Sequence, residues 1–216
     1  MNKLQKNYKT LIFDFDGTIN DTSQGIYATF TTVLNHFGID TTNLDLSPHI
    51  GPPLKYSYTR LVGEEHCDEA IKLHRKTFVD INAVELSKPY DGIPQLLDKL
   101  YNSAKYTLAV ASCKYQPHLI QSLKLFGFDK YFTYVYAQTE QRQYKAEVLR
   151  SLICENGLDV NTCVMIGDSI NDVEGAVANG VDVIGVTYGF GKCEDFNNDG
   201  VVALCDSVEQ LSKLLA

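Results

Sequence analysis

Short apolar runs recur along the chain, and most of them end in a polar or small residue. Leu11 to Phe13 runs into Asp14, Tyr106 to Ala111 into Ser112, Cys163 to Ile166 into Gly167-Asp168, and Val181 to Val186 into Thr187. Thr133 to Ala137 and Val201 to Leu204 are two more. None alternates cleanly between apolar and polar positions. This predicts strands buried on both faces, as in a parallel sheet.

Helical stripes separate these runs. Leu119, Ile120, Leu123 and Phe126 form one, with Pro117 near its start and Gly127 as its stop. Ala146, Val148, Leu149, Leu152 and Ile153 form another, ending at Gly157. Val173, Ala176 and Val177 mark a third before Gly180, and Val208, Leu211, Leu214 and Leu215 a fourth. Strands alternating with helices predict an α/β fold: a doubly wound, mostly parallel sheet with a Rossmann-like core.

Residues 20–86 break that alternation. Ile26, Phe30, Val33, Leu34 and Phe37 make a stripe ending at Gly38. Leu54, Tyr58, Leu61 and Val62 follow Pro52-Pro53, and Ala70, Leu73, His74, Phe78 and Val79 suggest a third helix. The expectation is a small all-helical cap over 20–86, inserted after the first strand of a core formed by 1–19 and 87–216. The turn-rich stretch Ser87 to Gly92 is the expected return path.

Charge narrows the function. The 216 residues carry 27 Asp+Glu against 19 Lys+Arg, a formal net charge of -8, which argues against a general nucleic-acid binder. A small anionic substrate remains open, because a metal ion and a few local cations can hold one. Cys67, Cys113, Cys154, Cys163, Cys193 and Cys205 include no Cys-x-x-Cys pair, so reduced thiols in a cytoplasmic protein are expected. The start is basic, but the apolar run behind it is cut by Asp14, too soon for a secretory signal. No stretch approaches the length of a membrane-spanning helix.

In an open parallel sheet, ligands bind beyond the carboxyl ends of the strands. Four groups fall at or just past such ends: Asp14 with Asp16, Ser112, Lys145, and Asp168 with Asp172. Asp14 and Asp16 are two residues apart, so in an extended chain they point the same way, and Gly17 allows a sharp turn after them. An isolated Asp-x-Asp is often only a turn. Asp168 and Asp172 share a face if a helix begins there, though either Asp168 or Ser169 could simply cap it. A buried cluster of carboxylates repels itself without a cation, and hard oxygen ligands suit Mg²⁺. Ser112 is placed before a helix N-terminus, where it could bind phosphate oxygens or act as an N-cap. Lys145 opens a helix, where a cation opposes the dipole. Together they form a candidate phosphoryl-transfer set.

These pieces, in this order, resemble the haloacid dehalogenase-like hydrolase superfamily. Leu11 to Thr18 matches its first motif, Ser112 and Lys145 stand in its second and third, and Gly167 to Asp172 matches its fourth. Ala111 to Lys114, Phe126 to Phe132, Tyr188 to Gly191 and Ile50 to Leu54 resemble the phosphoglycolate phosphatase-like branch. The resemblance implies that Asp14 is the nucleophile taking a phosphoryl group. Asp16 would protonate the leaving oxygen and then deprotonate water. Mg²⁺ would be held by Asp14, the Asp16 carbonyl and Asp168, with Asp172 in or next to the shell. Ser112 and Lys145 would hold phosphoryl oxygens. An acid at position 16 favours phosphate over carbon–halogen chemistry, because a halide needs no proton.

The expected function is a Mg²⁺-dependent phosphatase for a small phosphorylated metabolite, phosphoglycolate-like or a nucleoside 5′-monophosphate, in a monomer or homodimer. A sugar-phosphate mutase on the same core and a catalytically idle binding protein are the alternatives. Asp195 to Gly200 with Asp206 matches the start of a calcium loop, but no helical pattern precedes it, so a last strand and a helix cap are the expectation there. His118 is expected on a helix surface. Lys55, Arg60, Lys72, Arg75 and Lys76 give the cap its cations, most expected in solvent and one or two at the substrate, and Lys114 and Arg142 stand open between the same two places.

Overall fold

The computed structural model describes residues 6–216. The first five residues of the expected core and of the basic start lie outside the described residues. All the apolar runs become strands of one sheet: β1 (Thr10–Phe13), β4 (Thr107–Tyr115), β5 (Tyr134–Gln138), β6 (Cys163–Gly167), β7 (Asp182–Val186) and β8 (Val201–Cys205). The order is β5-β4-β1-β6-β7-β8, with every pair parallel. The chain winds outward from β1 in one direction and restarts at β6 in the other. The switch point therefore lies between β1 and β6, where a ligand crevice forms in such sheets.

Both sheet faces are covered, which explains the absence of alternation. Leu11, Phe13, Leu108, Val110, Val164 and Ile166 pack under α4 (Ile93–Asn102), α5 (Gln116–Leu125) and α8 (Val208–Leu214). Their neighbours Ile12, Ala109, Ala111 and Met165 point the other way, against α6 (Lys145–Glu155) and α7 (Ile170–Val177). Each buried aliphatic or aromatic side chain contributes roughly 1.5–3 kcal/mol. β8 is the edge strand, and its Val202 and Leu204 are exposed.

The insert forms α1 (Ser23–His36), α2 (Leu54–Val62) and α3 (Glu64–Asp80). These helices have their own core: Phe30, Val33 and Leu34 of α1 meet Tyr58 of α2 and Cys67 and Ala70 of α3. His74 lies inside it, with its Nδ1 2.7 Å from the Tyr58 hydroxyl. Burial pushes the His74 imidazole down to about 3, so it is neutral there. Val79, expected in the stripe, faces out.

Two features depart from expectation. A short antiparallel ribbon, β2 (Asn20–Asp21) with β3 (Lys88–Pro89), brackets the insert where only turns were expected. It ties the entry and return strands together and supports a boundary near 20–86, which stands as a proposal. Helix α4 was not anticipated; the turn-rich reading ran to Gly92, and Pro94 follows in the first turn of the helix. Gly92, at φ 90, ends the turn, and the proline's missing N–H costs nothing in that position.

Candidate active site

Asp14 leaves the sheet at the switch point. Its N–H still donates to the Ile166 carbonyl (2.9 Å), so the nucleophile candidate is anchored to β6. Gly17 then turns the loop at φ 84, and a Cβ there would stand 2.2 Å from Asp168 Oδ2. Glycine thus serves both the left-handed backbone and the close approach of a carboxylate.

β6 delivers Asp168, which is aimed from both sides. Thr18 Oγ1 donates to its Oδ1 (3.1 Å), and the Phe190 N–H donates to its Oδ2 (2.8 Å). Ser169 is the N-cap of α7, and Asp172 sits in the first turn. Asp172 Oδ2 accepts from the N–H of Asp168 (3.1 Å), the N–H of Ser169 (3.1 Å) and the Ser169 hydroxyl (2.9 Å). A carboxylate at a helix N-terminus also has the favourable dipole sign.

Lys145, the first residue of α6, reverses that sign and is nevertheless buried, with a side chain 3% exposed. Its ammonium donates to the Ala111 carbonyl (2.9 Å) and lies 2.8 Å from Asp14 Oδ1 and 2.7 Å from Asp172 Oδ1. Those two ion-pair contacts are close but poorly aligned as hydrogen bonds. Both carboxylate oxygens therefore remain buried without a well-oriented donor. Gly175 makes the arrangement possible, since a Cβ on it would stand 2.5 Å from Lys145 Cγ.

The electrostatics follow from burial. Desolvation pushes the Asp14 carboxyl up to about 7; Lys145 pulls it down, while Asp172 and Asp16 push it up. Burial, then Asp172 and Asp14, hold the Asp168 carboxyl well above the usual range. Desolvation alone would lower the Lys145 ammonium, but Asp14 and Asp172 outweigh it, so it stays charged. Three buried carboxylates thus face one ammonium, and an excess of negative charge is left uncompensated. Oxygen atoms of Asp14, Asp168 and Asp172 lie within 4.8 Å of one another. Hard oxygen donors, poorly satisfied lone pairs and surplus negative charge together fit a small divalent cation. Asp172 supplies only Oδ1 to that space, because Oδ2 is spent on the α7 cap.

The sequence candidates divide into two groups. Asp14, Lys145, Asp168 and Asp172 form one contact network. Asp16 and Ser112 line the cleft beside Asp14, together with Phe30, His74 and Phe78 of the cap. Ser112 is not a helix cap: it lies within β4, and α5 begins only at Gln116 with Tyr115 at its N-cap. Its Oγ accepts from the Lys114 N–H (3.2 Å) across a break in the β4–β5 register. His118 is buried rather than on a helix surface, stacked on Phe78 with ring centroids 4.2 Å apart. Cys113 lines the cleft, but burial pushes its thiol up to about 12, so it is no nucleophile at neutral pH.

Sequence reasoning left Thr18 and Phe190 without roles and left Lys114 open between solvent and substrate. Thr18 and Phe190 fall within stretches that carried the family resemblance, which was the available signal. The cap cations stay out of the cleft wall: Arg60 covers the Tyr56 ring and Arg75 the Tyr115 ring, at 3.6 and 4.1 Å. In the candidate calcium loop, Asp195 lies in a short 3-10 turn, and Asp206 precedes Ser207, whose Oγ accepts from the Gln210 N–H as the cap of α8. All six cysteines are free. Among the described residues, no helix is long and apolar enough to cross a membrane.

Comparison with known proteins gives the same picture. A 5′-nucleotidase of Pseudomonas aeruginosa is 33% identical over 96% of both chains. The tyrosine-protein kinase PtkA of Mycobacterium tuberculosis is 32% identical over 95% of this chain and 72% of its own. The crystal structure of a predicted phosphatase from Clostridium acetobutylicum superposes with a TM-score of 0.89 at 34% identity, covering 95% of this chain and 97% of that one. The pattern of the haloacid dehalogenase-like hydrolase family matches residues 11–186, and the chain belongs to that family.

Proposed function

We propose that this hydrolase is a Mg²⁺-dependent phosphatase acting on a small phosphorylated metabolite through an aspartyl-phosphate at Asp14. The observation that carries the reading is the buried contact of Asp14 with Lys145, in a carboxylate cluster short of positive charge. The names of the Pseudomonas and Clostridium relatives point the same way.

Asp14 attacks phosphorus as the bond to the leaving oxygen breaks, and Asp16 gives that oxygen its proton. Asp16 then takes a proton from water, which attacks phosphorus and releases phosphate and free Asp14. Splitting one displacement into two lowers each barrier. Lys145 favours the ionised form of Asp14 against the push of burial and holds it in place, and Ser112 offers its hydroxyl to a phosphoryl oxygen. Asp14, Asp168 and the Asp16 carbonyl would hold Mg²⁺, with Asp172 beside it. When bound, the ion offsets charge on the phosphoryl oxygens. The cap residues Phe30 and Phe78 over the cleft keep bulk water from the intermediate.

The test is phosphate release from a metabolite panel that includes phosphoglycolate and nucleoside 5′-monophosphates, with Mg²⁺ or with chelator. Wild type turns over with Mg²⁺ only, and Asp14→Asn loses at least ~10³-fold. Equal turnover by the two proteins rejects Asp14 as nucleophile. Isomerised sugar phosphate in excess of free phosphate would make the protein a mutase.

A further inference from the structure

Two lysines stand near the reacting centre, and their surroundings differ. Lys145 is already encircled, with Asp14 Oδ1, Asp172 Oδ1 and the Ala111 carbonyl at 2.7–2.9 Å. An ammonium has three donors, so an incoming oxygen must displace one of these contacts to reach it. Lys114 is nearly as buried, with a side chain 6% exposed, yet it has a single partner, Asp16 Oδ1 at 2.9 Å. Its other donors meet no acceptor among the described residues. Instead it lies 5.0 Å from the Phe78 ring centre and 5.8 Å from that of Phe15.

A buried ammonium with donors to spare is costly unless something else occupies them. The position of Lys114 indicates what that is. Asp16 is the residue that meets the leaving oxygen, and Lys114 touches Asp16 from the cleft side. Its contact with Asp16, and not with Asp14, puts the ammonium beside the residue assigned to the leaving oxygen. Among the described residues, the cleft wall holds no other lysine or arginine, and Arg75 packs over the ring of the wall residue Tyr115. His74 and His118 are held neutral by burial, pushed down to about 3 and about 4; burial and then Arg60 lower the His49 imidazole as well, and Ile26, Phe30 and Leu54 add apolar surface to the cap wall.

We infer that Lys114 is a substrate-binding residue that selects leaving groups carrying an anionic oxygen within a few bonds of the bridging oxygen. A short carboxylate or a second phosphate has that chemistry. A neutral alcohol would leave the Lys114 donors unmet inside an apolar wall, and a site built to bond a charged group rejects an analogue that lacks it. The selection deepens the phosphatase reading above and rests on it.

The experiment pairs two substrates of similar size, 2-phosphoglycolate and ethyl phosphate, with p-nitrophenyl phosphate as a general reporter. Wild type and Lys114→Met are compared; methionine keeps the length of the side chain and drops the charge. Wild type favours phosphoglycolate over ethyl phosphate by about 100-fold or more in kcat/KM. Lys114→Met loses most of that preference, chiefly through KM: whatever it loses on ethyl phosphate through Asp16, it loses at least about tenfold more on phosphoglycolate. Calorimetric binding of both compounds to Asp14→Asn, with and without Lys114→Met, reads the same preference without turnover. Equal loss on both substrates would overturn the inference, because Lys114 would then act only through Asp16. So would a phosphoglycolate preference that survives Lys114→Met, or a wild-type preference for nucleoside monophosphates. Absence of turnover on all three esters with Mg²⁺, alongside a Lys114-dependent binding preference, would instead reject the phosphatase reading and leave the anion site standing.

Discussion

At the scale of single residues, the site is a problem in placing like charges. Asp14, Asp168 and Asp172 are brought together at the ends of β1 and β6, and among the described residues Lys145 is the one buried cation in contact with the cluster. Removing it leaves the carboxylates unpaired in the interior. Lys145→Met is expected to cost about 3–5 kcal/mol of stability in metal-free denaturant unfolding, with part of the loss restored by Mg²⁺. Metal-free stability unchanged from wild type would show that the cluster is already relieved by water. Asp14 and Asp168 were legible in the sequence because each follows a buried strand directly, and Asp172 because it lies four residues beyond Asp168. The partners of Lys114 and Asp168 were not. Lys114 meets Asp16, and Asp168 meets Thr18 and Phe190, across long stretches of chain that only the sheet order brings together. His118 was misplaced for the same reason, since the Phe78 ring that covers it comes from the cap.

At the scale of elements, the packing of α7 against α6 is tuned for Lys145 rather than for helix stability. Glycine inside a helix is unfavourable by roughly 0.5–1 kcal/mol relative to alanine, so Gly175→Ala would stabilise an isolated α7. In the fold, the added methyl meets Lys145 Cγ at 2.5 Å and Lys145 Cβ at 2.9 Å. Overpacking of this kind costs about 1–3 kcal/mol. Gly175→Ala should therefore lower both the melting temperature and turnover. A more stable variant with full activity would show that Lys145 can move without loss. The long strands and amphipathic helices were readable because each carries a period. The two-residue strands β2 and β3 are too short to have one. Ser112 read as standing just before a helix N-terminus because β4 continues to Tyr115 through an irregular stretch that carries no hydrophobic signal.

At the scale of the whole molecule, protons and a divalent ion compete for one pocket. The Asp14 carboxyl lies at about 7 in the metal-free fold, above its ordinary value of 3.8. Between those values the folded state binds protons that the unfolded state has released. This group's contribution to metal-free stability therefore falls as pH rises through that window. Mg²⁺ must displace the same protons, so its stabilising effect grows over the same range. The increase in melting temperature on adding Mg²⁺ should be small near pH ~5.5 and clearly larger near pH ~7.5. An increment independent of pH would separate the ion from Asp14. The winding order that creates the pocket was foreseeable from alternating strands and helices, whereas which cap residues face Asp14 was not, because that depends on how Phe78 seats on His118 and Lys114.

The central claim is that Asp14 carries the phosphoryl group between two displacements. Rapid acid quench during turnover, followed by peptide mass spectrometry, measures this directly. The account predicts one phosphoryl group on the peptide containing Asp14, formed within the first turnover and absent from Asp14→Asn. Steady phosphate release with no modified peptide at any time point, or a phosphoryl group on another residue, would contradict it.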